Sequence, residues 1–407
     1  MRLAAIEIIQ DEQSCRLMGR VESDEDPDDA SWFPPFTLWY EFPAWCAPWL
    51  DASNGDPFLA ALLPMAMQTG ERLAIEAPVS PRLLTALPDI EAIFAAFYPK
   101  LKLVPIEVVP RVAPPRSDGD APGNGLFFSL GVDSFYSLLK NMRDHPADDR
   151  TVSHLLSVNG FDVTYEGESG VFPPTLLANF RRVATETGKT LLPVSTNIRR
   201  MGVRIGNWPM LHGAAMASIA LALGAGLHRV SIAASATYDK LYPWGSHPVL
   251  DPLWSTETLT FVHDGCELNT IDKTALVARS DLAMATLRPC AGHGEGYNCG
   301  ACEKCMRTML DLRMADALDR CATLPHQIDP ERLRAGLRPG GPVHMADFQR
   351  RLDALRALGT DPAVCQVLAE HLAQGMSPKF AGSSPRNQAN TSRLSNLARR
   401  VRNIRGA

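Results

Sequence analysis

The chain has 407 residues, 45% of them hydrophobic and 21% charged, with a formal charge of −5. That length exceeds one ordinary core, so a main domain with additions is expected, and the composition excludes a disordered chain. The negative balance argues against wholesale coating of nucleic acid, although a local basic patch stays compatible with it.

The opening MRLAAIEIIQDEQSC lacks the charged-then-apolar layout of a secretory signal, and a cytoplasmic location is expected. Residues 1–118 are expected to form a small α+β domain. FTLWYEF and ERLAIEAPV read as strands, and PFLAALLPMAMQ and DIEAIFAAFYP as amphipathic helices. Trp32, Trp39, Trp45 and Trp49 crowd into WFPPFTLWYEFPAWCAPW. They are open between core packing and a docking surface for a partner protein or a second copy in a homodimer.

A Pro/Gly/Asp linker, Ala113 to Gly125, leads into a domain expected over residues 119–320. There LFFSL, VSHLLSVNG, TLLPVST and HRVSIAAS read as strands, alternating with the helices SFYSLLKNMRD, PTLLANFRRVATETG and Met210 to Leu227. Such alternation implies an α/β fold with a doubly wound parallel sheet. Met210 to Leu227 is apolar enough to raise the question of a membrane span. The strand that follows at once makes it a helix buried against the sheet, so no membrane partner is expected. Residues 321–378 read as C-terminal helices. The tail 379–407, basic through Lys379, Arg386, Arg393, Arg399, Arg400, Arg402 and Arg405, is open between disorder and contact with nucleic acid or another anionic partner.

Two segments carry chemistry. In GLFFSLGVDSFYSLLK, a buried strand runs through Ser129-Leu130-Gly131-Val132-Asp133-Ser134 directly into a helix. Backbone N–H groups at such a helix start attract an anion, Ser129 and Ser134 add hydroxyl donors, and Asp133 is suited to hold Mg²⁺ beside a pyrophosphate. The plainer reading is a turn with Asp133 or Ser134 as helix cap. In RPCAGHGEGYNCGACEKC, Cys290, Cys299, Cys302 and Cys305 follow a C-x8-C-x2-C-x2-C spacing. Four thiolates favour tetrahedral Zn²⁺ and leave no open position, so the site is expected to be structural, with an iron–sulfur cluster or free thiols as alternatives. His293 is a spare ligand or solvent-side residue. The remaining cysteines, Cys15, Cys46, Cys266, Cys321 and Cys365, show no pairing pattern.

The loop is similar to the SGGxDS loop of PP-loop ATP pyrophosphatases (adenine nucleotide alpha hydrolase-like domains), with Leu130 where those proteins have a glycine. The loop and the cysteine spacing, in this order, resemble 7-cyano-7-deazaguanine synthases (the QueC family) over roughly residues 124–315. ATYDKLYPW and IDKTALVARSDL are similar to two further segments of that family. The resemblance implies ATP, Mg²⁺ and Zn²⁺ as cofactors, with Ser129, Leu130, Gly131, Val132, Asp133 and Ser134 at the phosphates. It also implies Asp133 and Lys273 as catalytic residues and Thr237, Tyr238, Asp239 and Tyr242 at the substrate. The implied activity is a ligase that adenylates the carboxylate of 7-carboxy-7-deazaguanine, or of a related small or macromolecule-attached acid, and passes it to ammonia to give an amide or nitrile. Tyr238 stands where the family carries an acid, which leaves a redirected substrate and the family's own substrate equally open.

Two other classes stay open. A sulfur transferase would need a cysteine near the nucleotide, and Cys266 is the unassigned one in this domain; a degenerate nucleotide-binding module would act through partners. Arg199, Arg200 and Arg204 are open between gripping an anion and an exposed turn. His212 is expected to pack or cap.

Overall fold

Strand β1 (Arg2–Gln10) turns back into β2 (Ser14–Glu22) as an antiparallel hairpin, and β2 pairs antiparallel with β3 (Phe36–Pro43). Cys15, Leu17, Gly19 and Val21 of β2 are buried while Arg16, Met18 and Arg20 between them are more exposed, the period of a strand with one covered face. This is a computed structural model that describes residues 1–22, 36–112, 123–161, 172–205, 208–290 and 297–375, with backbone alone for 202–205. Helix α1 (Asp56–Thr69), β4 (Leu73–Val79), α2 (Pro81–Phe97) and β5 (Ile106–Pro110) complete the N-terminal part. Ser80 caps α2 by accepting from Leu83 N at 3.1 Å, and its buried residues Leu83, Leu87, Ile90 and Phe94 fall on one helical face.

The chain then alternates: β6 (Gly123–Phe127), α3 (Val132–Asp144), β7 (His154–Asn159), α4 (Pro174–Thr187), β8 (Thr190–Thr196), α5 (Ile198–Ile205), α6 (Trp208–Ala222), β9 (Leu227–Ala233) and β10 (Thr260–Asp264). After β10 come α7 (Thr270–Val277), α8 (Asp281–Thr286), α9 (Glu303–Met314), α10 (Pro330–Gly336), α11 (Pro342–Leu358) and α12 (Pro362–Ala373). One mostly parallel sheet takes in all ten strands, in the order β10-β9-β6-β7-β8-β3-β2-β1-β4-β5. Strands β6 to β10 are parallel to one another, as the alternation of strands and helices implies.

Residues 1–118 do not stand as a separate domain. Residues 1–300 and 311–326 form a single compact unit, because β3 pairs antiparallel with β8 and carries the sheet straight across the expected boundary. Side-chain hydrogen bonds tie that junction, among them Trp39 N to Asn197 Oδ1 at 3.0 Å, Asn197 Nδ2 to Thr37 O at 2.8 Å, Thr196 Oγ1 to Trp39 O at 2.8 Å, and Tyr40 OH with Ser218 Oγ at 2.9 Å. Helix α1 is buried almost end to end and packs on α6, so one apolar core holds Phe58, Leu62 and Met65 together with Ala214, Ile219 and Leu221. Gly19 of β2 admits the Phe58 ring, since a Cβ there would lie 2.2 Å from it. Among the tryptophans, Trp39 is buried and Trp45 is 45% exposed, edge-on to Trp49 at 5.1 Å, while Trp32 lies outside the described residues.

The second unit comprises residues 301–310 and 327–407. The C-terminal segment thus begins at 327 rather than 321, with 311–326 belonging to the first unit. Asp329 caps α10 by accepting from Glu331 N at 2.9 Å, and α11 packs on α12 with Phe348 against His371 at 5.1 Å. The linker stretch 113–122 and the tail 379–407 fall outside the described residues. Among the described residues, no helix is long and apolar enough to cross a membrane; α6 is a buried 15-residue helix.

Candidate functional site

The chain runs outward from β6 through β7 to β8, then returns to place β9 and β10 on the other side of β6. Loops leaving the carboxyl ends of β6 and β9 diverge at this switch point, and a crevice forms between them. A cavity of about 300 Å³ lies there, walled by residues at the ends of β6, β7, β9 and β10, including Phe127, Asn159, Ala233 and His263. Phe161, Phe180 and Met216 give it apolar surface, and Ser129, Asp133 and Ser134 place the turn at the start of α3 in its wall.

At Leu130 the turn adopts a backbone conformation that glycine enters more readily than other residues. Leu130 stands at φ 63°, the left-handed region that costs a side-chain-bearing residue about 1 kcal/mol. Its side chain is fully buried, and its carbonyl accepts from Arg288 N at 2.8 Å, so packing and a hydrogen bond offset the strain. Gly131 caps α3 in an extended conformation. Ser129 and Ser134 knit the turn: Gly131 N donates to Ser129 Oγ at 3.3 Å, and Ser134 Oγ donates to Gly131 O at 3.0 Å. Ser129 is exposed, Val132 is buried beneath the turn, and the α3 N-terminus opens toward the cavity side of the loop.

Asp133 and Lys273 meet. Lys273 is 1% exposed; its Nζ donates to Asp133 Oδ1 at 3.0 Å and to the Ala234 carbonyl at the end of β9. Asn269 fixes the start of α7 by accepting from Asp272 N at 3.1 Å, which aims Lys273 inward. Tyr136 lies beneath the ammonium, its ring centre 5.6 Å from Lys273 Nζ, and donates its hydroxyl to Glu267 at 2.6 Å. Burial, then that hydrogen bond, pushes the Tyr136 hydroxyl up to about 12, so it stays a donor. The two residues lie together, with the lysine inside the protein and the carboxylate in the cavity wall.

The expected substrate residues fall elsewhere. Thr237, Tyr238, Asp239 and Tyr242 do not line the 300 Å³ cavity. Tyr238 is 62% exposed, Asp239 is exposed, and Thr237 is buried; Tyr242 edges a small neighbouring hollow with Trp244 and His247. After β9 the chain turns away over the surface at this segment and re-enters at Trp244 to His247, so Ser235, Ser246 and His263 take the cavity wall instead. Arg288 also lines the cavity and supplies a cation on the loop's own side. Arg199 and Arg200 instead cover the rings of Trp208 and Phe36, at 5.2 and 5.9 Å, and the Arg204 side chain is outside the described set. His212 lines the cavity; its Nδ1 donates to Pro209 O at 2.9 Å and its ring stands edge-on to Trp244.

Cys290, Cys299, Cys302 and Cys305 converge, with their Sγ atoms all within 4.8 Å of one another and none in a disulfide. Four thiolates on zinc at about 2.3 Å would stand about 3.8 Å apart, so the group fits a tetrahedral metal such as zinc with a small contraction. Gly300, at φ 60° and with Pro325 only 2.9 Å from where a Cβ would stand, makes the turn between the second and third cysteines. Asn298 holds the approach: it accepts from Cys290 N at 3.3 Å and donates to Leu287 O and Thr323 O at 3.0 Å. Residues 291–296, including His293, lie outside the described residues. Zinc bound here would close its shell with protein ligands and contribute folding energy, not chemistry. Cys302→Ser should lose the metal and unfold at lower temperature. Zinc-to-protein ratios by plasma emission spectroscopy and a thermal melt check this; a stable, zinc-free wild type would refute it.

No family model matches the chain, and neither a curated protein nor a solved structure matches it.

Proposed function

We propose that the chain is an ATP-dependent ligase that adenylates a carboxylate, 7-carboxy-7-deazaguanine or a related acid, and passes the acyl group to ammonia. The observation that carries this reading is the turn Ser129–Ser134, opening α3 at the switch-point cavity with Asp133 backed by buried Lys273. Ser129, Gly131 and Ser134 would hold the phosphates of ATP by backbone N–H and hydroxyl donors. Asp133 would hold Mg²⁺, which supplies charge neutralisation on the departing pyrophosphate. Lys273 holds the Asp133 carboxylate in place through the 3.0 Å ion pair, and Arg288 adds positive charge where the α-phosphate and acid must meet. Holding acid and α-phosphorus in one apolar-walled cavity contributes the orientation on which such a step depends.

Sulfur transfer has less behind it. Cys266 is 1% exposed, does not line the cavity, and burial pushes its thiol up, which leaves little thiolate. With ATP, MgCl₂, ¹⁵N-ammonium chloride and 7-carboxy-7-deazaguanine, AMP and pyrophosphate should form in equal amounts, and mass spectrometry should find ¹⁵N in the product. Related aromatic acids form the second round of substrates. ADP as the sole nucleotide product would refute the reading.

A further inference from the structure

At the end of the cavity formed by β10, an imidazole and a carboxylate form a second constellation. His263 Nδ1 lies 2.7 Å from Asp251 Oδ2, with the two side chains 5% and 0% exposed. Asp251 also accepts from Ser246 Oγ at 2.7 Å and from His247 N at 3.2 Å, so three donors converge on one buried carboxylate. A carboxylate held this way only accepts, and the ring nitrogen facing it must carry hydrogen. In the neutral ring the lone pair is then on Nε2, which makes no hydrogen bond among the described residues. His263 lines the same 300 Å³ cavity as Ser129, Asp133 and Arg288. His247, which packs on Phe97 at 4.9 Å, is driven toward its neutral form by burial and then by His263, so it adds little competing charge beside the dyad.

A purely structural histidine needs neither a buried carboxylate nor a place in a cavity wall. This arrangement is that of a proton acceptor oriented by a carboxylate that also stabilises the imidazolium. We infer that His263, oriented by Asp251, is the general base of the acyl-transfer half of the reaction, taking a proton from the attacking nitrogen nucleophile. The inference rests on the ligase reading above. The nitrogen lone pair forms the C–N bond at the acyl carbon, and one N–H proton passes to His263 Nε2. The acyl carbon–oxygen bond breaks, and AMP departs with its electron pair. Asp251 matches the imidazolium until the proton leaves to solvent. Asp133 and Lys273 would thus serve adenylation at one end of the cavity, and His263 and Asp251 would serve transfer at the other.

Two measurements on the full chain test this. Long-range ¹H–¹⁵N spectra of ¹⁵N-histidine-labelled protein, with the His263 signal assigned by its loss in His263→Gln, should show the Nδ1–H tautomer. Its Nε2 signal should move when 5′-O-sulfamoyladenosine, an adenylate mimic, is added to saturation. An Nε2–H tautomer, or a signal indifferent to bound mimic, overturns the inference. A mimic that fails to bind by calorimetry removes the adenylation reading and the inference with it. In turnover, the ratio of amide formation to ATP–pyrophosphate exchange should fall about 100-fold in His263→Gln and in Asp251→Asn, the range of a lost general base. Equal losses in both half-reactions would make the pair structural and overturn the proposal.

Discussion

A chain that begins at residue 123 is expected not to fold. The sequence alone suggests the opposite, since every residue assigned to nucleotide or metal lies after Gly125. Yet α1 covers α6, and Phe58, Leu59, Leu62, Leu63 and Met65 are essentially inaccessible within a core they share with Ala214, Ile219 and Leu221. Each such side chain contributes about 1.5–3 kcal/mol by leaving water, and a few of them equal the roughly 5–15 kcal/mol that holds a whole domain together. The truncation also bares one edge of β8, and leaves Ser218 and Asn197 without the partners Tyr40 and Trp39 provide. Expression should give insoluble protein, or material with no cooperative thermal transition. A soluble fragment with a sharp melt would show that residues 1–112 are an appendage after all.

How far the sequence was legible follows from the range of each signal. Strands β6 to β9 and their helices were readable because hydrophobic runs and turn residues are local, and the turn Ser129–Ser134 that opens α3 was readable because six contiguous residues make it. The four cysteines were readable because metal geometry imposes a spacing. The N-terminal hairpin had a local signal in the alternation of CRLMGRVE that the reading did not take up. Pairing of β3 with β8 had none: residues about 150 apart meet there, and nothing in FTLWYEF announces its neighbour. The same holds for the far end of the site. Ser246, Asp251 and His263 sit on a loop and an edge strand without a motif, and converge only because β9 and β10 return beside β6. The segment Thr237 to Tyr242 shows the converse, since its local pattern singled it out and yet it occupies a chain excursion that leaves the cavity wall.

Asp133→Asn and Lys273→Met should separate catalysis from stability in opposite ways. Lys273 is 1% exposed and Asp133 31%, so the ammonium is the member that depends on its partner. Asparagine keeps the shape and an acceptor oxygen but leaves the buried cation without an opposite charge, facing neutral acceptors such as the Ala234 carbonyl and the Tyr136 ring. Losing one partner of a fully buried pair costs about 3–5 kcal/mol; with Asp133 partly solvated, about 1–3 kcal/mol is expected here. Methionine at 273 removes the charge and fills similar volume, so stability should stay within about 1 kcal/mol of wild type or rise. The double variant should then be more stable than Asp133→Asn alone, a coupling that independent sites would not show. If the proposed ligase reading holds, pyrophosphate release should drop at least about 100-fold in every one of these variants, because Asp133 would then hold Mg²⁺ and Lys273 would orient it against charge developing in the transition state. Urea melts of the four proteins, paired with pyrophosphate assays, decide the matter. If Lys273→Met is the less stable single variant, or if Asp133→Asn turns over at the wild-type rate, this pair is not the charge-handling core of the site.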